Sequence, residues 1–105
     1  MALDLSRLRI DQRRFRNHFG ALARIGATPE GGVHRPALGD NDIEGRRWLR
    51  NRIERSPLAY TDDPAGNQSA ILHGSEKKNQ HLILGSHLDT VPEGGVFDSA
   101  LGMLA

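Results

Sequence analysis

The sequence predicts an α/β fold with two helices, a β-hairpin, a buried strand and the start of a third helix. Three observations support this class. Helical apolar spacing and a helix start signal mark two stretches of the first half, two strand-like runs flank a turn signal, and residues 81–86 are apolar enough for a strand buried on both faces. Helices and a hairpin that precede such a strand are typical of the opening of an α/β domain.

The first helix is predicted over residues 11–24. Phe15, Phe19 and Leu22 recur at helical spacing, so they form one apolar face while the neighbouring arginines mostly point elsewhere. Gly26 then breaks the helix.

The second helix is predicted to begin at an N-cap on Asp40 or Asn41 and to end near Arg55. Asp42 and Glu44 place negative charge in the first turn, where the helix dipole favours it.

A hairpin follows the second helix. Pro57 ends helical geometry, so residues 58–61 are predicted to form a strand, residues 62–67 a turn, and residues 68–72 the partner strand. After a polar loop at 75–80 comes the predicted buried strand, which needs neighbours on both sides. A last helix is predicted to start at Ala100.

The composition is that of an ordinary globular protein, with 37% hydrophobic and 26% charged residues and a net charge of +1. The absence of cysteine excludes disulfides and thiolate ligands. The sequence contains neither a signal-peptide core nor a membrane-spanning run, so the expected location is the cytoplasm. Two arginine clusters are interpreted as solvated helix faces rather than as a nucleic-acid surface. Their members are Arg7, Arg9, Arg13, Arg14, Arg16, Arg46, Arg47, Arg50, Arg52 and Arg55.

The most informative run, residues 87–98, contains one imidazole and two aspartates. In extended backbone, side chains two residues apart point the same way, so His87 and Asp89 share one face. A ligating imidazole commonly donates its second ring N–H to a carboxylate. His87 is therefore a candidate metal ligand and Asp89 its candidate support. The alternative is a surface histidine beside a turn-capping aspartate.

Asp98 is the second candidate ligand. A turn at Gly94 and Gly95 can bring it back toward His87. A carboxylate there can place its two oxygens on two metal ions about 3.5–4 Å apart. The alternative is that Asp98 simply caps the helix that starts at Ala100. The Pro-Glu-Gly-Gly-Val sequence also occurs at residues 29–33, which we interpret as one turn chemistry used twice.

The run from Leu84 to Gly102 resembles the N-terminal metal-binding signature of a family of zinc-dependent amidohydrolases. This family includes N-carbamoyl-L-amino-acid hydrolase, allantoate amidohydrolase and β-ureidopropionase. Residues 25–35 and 63–67 resemble two further family segments in the same order. The family belongs to the dinuclear aminoacylase and carboxypeptidase-like superfamily, so the resemblance implies a zinc-peptidase-like catalytic domain.

The resemblance implies that His87 is a metal ligand, that Asp98 bridges two metal ions and that Asp89 acts in catalysis by orienting His87. It implies two divalent cations, Zn²⁺ first, with Mn²⁺, Co²⁺ or Ni²⁺ as alternatives. It also implies a small carbamoyl or ureido substrate, a homodimeric full-length protein, and no nucleic-acid or membrane partner. The reaction is hydrolysis of a carbamoyl or ureido C–N bond by metal-activated water.

The general base and the remaining ligands would follow Ala105 in such a protein. We therefore expect residues 1–105 to be the N-terminal portion of the catalytic domain, inactive alone, with any lid or dimerisation domain absent. Two departures from the family are Ser99, where glycine is frequent, and His34, where threonine is common. Neither removes a predicted ligand.

Two other functions fit parts of the sequence. Non-haem iron oxygenases also use a His-x-Asp pair, although that reading gives no role to Gly94, Gly95 or Asp98. An arginine-rich, non-enzymatic binding module would use the amphipathic helices as its contact surface, and salt-dependent binding to nucleic acid would support it.

Overall fold

The computed structural model describes residues 4–75 and 81–105. In these ranges the chain forms a 3₁₀ turn at Leu5–Arg7 and the helices α1 (Gln12–Arg24), α2 (Asp40–Glu54) and α3 (Ala100–Leu104). The strands there are β1 (Ala59–Asp62) and β2 (Gln68–Ile71). The predicted mixture of helices and strands is confirmed. None of the helices in the described ranges has the length and apolar character needed to span a bilayer.

Helix α1 forms as its sequence predicts. The Asp11 carboxylate accepts the backbone N–H of Arg14 at 3.0 Å and so satisfies one of the free donors of the first turn. Leu22, on the apolar face, is completely buried, and the rings of Phe15 and Phe19 stack 5.9 Å apart. Local spacing and one capping residue therefore account for this helix.

Helix α2 begins one residue earlier than predicted. Its N-cap is Gly39, with no side-chain cap, so the prediction of Asp40 or Asn41 is wrong. The Asn41 side chain is engaged elsewhere, because its amide donates to the His34 carbonyl at 2.8 Å. The predicted end is confirmed, since Arg55 is the C-cap.

The hairpin is confirmed. Strands β1 and β2 pair antiparallel, with Tyr60 opposite Ala70. In the connecting turn the Asp63 carboxylate accepts the backbone N–H of Asn67 at 2.9 Å and its side-chain amide at 2.8 Å. These bonds stabilise the ionised carboxylate and lower the pKa of Asp63.

The predicted buried strand at 81–86 is wrong for the chain as described. These residues form no strand, and Leu82, Ile83 and Leu84 are 88%, 86% and 86% exposed. A strand needs backbone partners, and within the described ranges β1 and β2 pair only with each other. Of the predicted polar loop that precedes it, residues 76–80 lie outside the described residues.

The core is built on α1. Leu22 and Ile25 pack with Leu88, the second residue of the predicted metal-binding run 87–98, and with Ala100, which lies two residues after its end. The ring of Phe97 stacks on that of Phe19 with centroids 5.4 Å apart. Both ends of the run are therefore held against the same helix.

Candidate metal centre

His87 and Asp89 lie together, as predicted. The His87 Nδ1 atom is 2.9 Å from the backbone carbonyl oxygen of Asp89 and 3.3 Å from its carboxylate Oδ1. Both neighbours are hydrogen-bond acceptors, so Nδ1 carries the proton in the neutral imidazole. The lone pair is then on Nε2, the atom through which this side chain can bind a metal.

The polypeptide returns to His87 at the residue after Asp98. The backbone N–H of His87 donates to the Ser99 hydroxyl at 2.9 Å. Residue Ser99 is the N-cap of α3 and no side chain caps that helix, so the Asp98 carboxylate is not used for capping. The exposed Asp98 side chain therefore remains a candidate ligand, next in sequence to the residue that bonds the His87 backbone.

A buried arginine fixes the backbone between His87 and Asp89. Arg35 is 2% exposed, and its Nε donates to the Leu88 carbonyl at 2.8 Å. Its Nη1 donates to the carbonyls of Leu22 and Ile25 at 3.0 and 2.7 Å. Arg35 thus ties the centre of the predicted site to the end of α1.

The Arg35 guanidinium is largely removed from water. Burial lowers its pKa, and the nearby carboxylates of Asp42 and Asp89 act in the opposite direction. The guanidinium retains its charge because its ordinary pKa is far above neutrality. Asp89 is therefore close enough to this fixed positive charge to interact with it electrostatically.

Thr90 adds a second connection to the segment that carries Arg35. Its buried hydroxyl accepts the N–H of Arg35 at 2.8 Å and donates to the Val33 carbonyl at 3.1 Å, while its own N–H donates to the Arg35 carbonyl at 2.7 Å. These bonds hold the residue directly after Asp89 in place.

The two Pro-Glu-Gly-Gly-Val segments meet in space. Val33 and Gly94 exchange two backbone hydrogen bonds of 2.7 and 2.9 Å. A Cβ on Gly94 would lie 3.0 Å from the Cβ of Thr90 and 3.3 Å from the Val33 carbonyl oxygen, so glycine permits the close approach. The positive φ of this turn belongs to Glu93, at 55°. The turn closes earlier than predicted, with the N–H of Gly94 donating to the Val91 carbonyl at 3.1 Å, and its left-handed residue is not a glycine.

The donor set suits a divalent cation, since imidazole nitrogen and carboxylate oxygen are ordinary zinc ligands and the tautomer of His87 leaves Nε2 free. Across residues 4–75 and 81–105, no group of three or more His, Cys, Asp or Glu side chains is placed to hold a metal ion. The ligand roles of His87 and Asp98 therefore stay predictions, and a complete site needs further ligands.

Sequence reasoning missed Arg35, Thr90 and the contacts of Ser99. Arg35 could have been suspected, because it lies outside both arginine clusters in a segment already singled out by the resemblance. Thr90 and Ser99 lie in the segment 84–102 that also carries the resemblance, and Ser99 stands where glycine is frequent in the family, but the sequence did not indicate their contacts, which join residues 12 to 57 positions apart. The arginine clusters are mainly solvated as predicted, although Arg46 is half-buried and donates to Asp42 at 3.3 Å.

The chain resembles curated and structurally characterised amidohydrolases. It is 38% identical over 84 residues to an N-carbamoyl-L-amino-acid amidohydrolase of Rhizobium meliloti and 34% identical over 84 residues to an allantoate amidohydrolase of Escherichia coli K12. Each match covers 80% of this chain and 20% of the relative. No family model matches the chain.

Solved structures give the same result. A hydantoinase/carbamoylase family amidase from Burkholderia ambifaria superposes with a TM-score of 0.86 at 41% identity, over 92% of this chain and 24% of that one. Fold and sequence together define the class: the chain is homologous to amidohydrolases. In particular, it is homologous to part of the hydantoinase/carbamoylase family amidases and spans about a fifth of the length of the curated relatives it matches. The resemblance stated from the sequence is confirmed.

Proposed function

We propose that this chain is the N-terminal portion of the catalytic domain of a metal-dependent hydrolase. The full-length protein would cleave a linear amide or ureido C–N bond in a small substrate of the N-carbamoyl amino acid or allantoate type. The names of the relatives support the reaction class and the substrate class. Neither the iron oxygenase nor the arginine-rich binding module finds support in those names.

His87 and Asp98 would hold the metal, with Asp98 shared between two ions. When bound, a divalent cation would polarise the scissile carbonyl and lower the pKa of a water molecule. Asp89 accepts the Nδ1 proton of His87 and so keeps the imidazole in the ligating tautomer. Arg35 holds the intervening Leu88 carbonyl, which limits movement of the pair.

The observation that carries this proposal is the fixed orientation of His87. Its Nδ1 faces two acceptors of Asp89, and its backbone N–H is bonded to the residue that follows Asp98. A surface histidine beside a turn-capping aspartate could make the local contact with Asp89, but it does not need the bond to Ser99, which lies twelve residues further along the chain. This arrangement supports a role as ligand.

The test is hydrolysis by the full-length protein. We expect turnover of an N-carbamoyl amino acid or allantoate to be lost on chelation and restored by Zn²⁺ or Mn²⁺. The substitution His87→Ala should abolish this metal-dependent activity, whereas His73→Ala, on an exposed histidine beside the hairpin, should leave it unchanged. Full activity of the His87→Ala protein would show that the ligand assignment is wrong.

A further inference from the structure

The backbone at Ser99 is strained. Its φ and ψ are 64° and −42°, and the N–H of Ala100 donates to the Asp98 carbonyl at 2.7 Å. A bond from residue i+2 to residue i around a central positive φ is a γ-turn of the rare, strained kind. Glycine adopts such angles readily, whereas a residue with a Cβ requires stabilising contacts to remain there.

The Ser99 hydroxyl provides such contacts. It accepts the backbone N–H of His87 at 2.9 Å. The Ser86 hydroxyl donates to the Ser99 carbonyl at 2.9 Å, so the single Ser99 hydroxyl hydrogen is free to donate to the Ser86 oxygen. Every hydroxyl hydrogen in this small network then has one acceptor.

This network joins the two predicted ligands through the backbone. One end is the peptide N–H of His87, and the other is the turn whose first residue is Asp98. We propose that Ser99 is a positioning residue, which fixes the backbone of His87 relative to that of Asp98. The proposal rests on the proposed function, because it assigns this geometry to metal binding.

The predicted consequence is a loss of metal affinity when the hydroxyl is removed. Groups that orient metal ligands typically contribute 10–100-fold to affinity. We expect Ser99→Ala to weaken Zn²⁺ binding by the full-length protein at least about tenfold. Ser86→Ala should have a smaller effect, because the bond between Ser99 and His87 remains. Ser69→Ala, on the exposed β2, is the matched control and should leave the affinity unchanged.

Ser99→Gly distinguishes the effect of losing the hydroxyl from the effect of backbone strain at this position. It removes the same hydroxyl but adopts the positive φ without cost. We expect Ser99→Gly to weaken Zn²⁺ binding as Ser99→Ala does. If Ser99→Ala fails to fold, Ser99→Gly still tests the role of the hydroxyl. Wild-type affinity in Ser99→Gly would overturn the proposal, because the hydroxyl would then be dispensable.

Hydrogen exchange of the His87 amide provides a readout independent of metal. Measured at single-residue resolution in the full-length protein, it should be faster in Ser99→Ala and Ser99→Gly and unchanged in Ser69→Ala. An unchanged exchange rate in both Ser99 variants would overturn the proposal. A wild-type protein that binds no Zn²⁺ would refute the proposed function, while the exchange rates would still decide whether Ser99 positions His87.

Discussion

The helical platform, α1 and α2, and the site segment, residues 81–105, differ in how they are stabilised. On the platform, Leu22 is completely buried and Asp11 caps its own helix. In the site segment, the three apolar residues 82–84 are almost fully exposed, and order comes from bonds to distant residues such as Arg35 and from packing of Leu88 and Ala100 against α1. The platform depends on local sequence, whereas the predicted site depends on contacts supplied from elsewhere.

This difference is clearest at the exposed apolar residues 82–84, which lack the contacts that would bury them. Burying a Leu or Ile side chain contributes about 1.5–3 kcal/mol, so three exposed ones forgo several kcal/mol. A strand recovers that free energy only when neighbouring strands and a covering layer are present. The described hairpin does not pair with residues 81–86.

The largest expected effect on stability is at the connection between the two regions. Arg35→Ala would leave the buried carbonyls of Leu88 and Ile25 without their side-chain donor, at a cost of about 3–5 kcal/mol in the free energy of unfolding. Denaturant unfolding of the full-length protein measures this. Arg47→Ala, on an exposed position of α2, is the matched control and should change stability by less than about 0.5 kcal/mol. Equal effects of the two substitutions would contradict the role of Arg35.

A second prediction compares the two regions directly in the 105-residue chain. Leu22→Ala creates a cavity in the core and should destabilise by about 2–5 kcal/mol. Ile83→Ala removes an exposed side chain and should cost less than about 0.5 kcal/mol. Thermal or denaturant unfolding distinguishes them. A large cost of Ile83→Ala would mean that the site segment has a core of its own.

The smallest predicted effect is a pH dependence on the platform. Burial lowers the pKa of His18, and the charges of Arg52 and Arg14 lower it further. The unfolded chain then binds more protons near pH 6, so stability should be fully present above the ordinary histidine pKa and lost as pH falls through the lowered value. Unfolding of wild type and His18→Gln across this range checks it. A pH dependence that is identical in both proteins would assign the effect to another group.

The elements predictable from sequence are those that depend on near neighbours. Helix α1, the end of α2 and the hairpin turn follow from apolar spacing, a cap and turn residues. The strand at 81–86 could not be predicted correctly, because its formation depends on partners rather than on its own apolar character.

The same reasoning applies to the candidate site. The pairing of His87 with Asp89 follows from their spacing of two residues. The contacts of Arg35 and Ser99 could not be predicted, because they bring together residues 53 and 12 positions apart and no local pattern encodes them. The sequence pattern therefore identified the candidate ligands, whereas the residues that hold those ligands in place were found only in the structure.

The most direct test of the central claim is the position of a bound metal ion. Crystals of the full-length protein grown with Zn²⁺ and measured at the zinc absorption edge should show an anomalous peak at coordination distance from Nε2 of His87 and from the Asp98 carboxylate. Nδ1 of His87 should still face Asp89. A peak remote from both residues, with unchanged hydrolytic activity, would contradict the assignment of His87 and Asp98 as ligands.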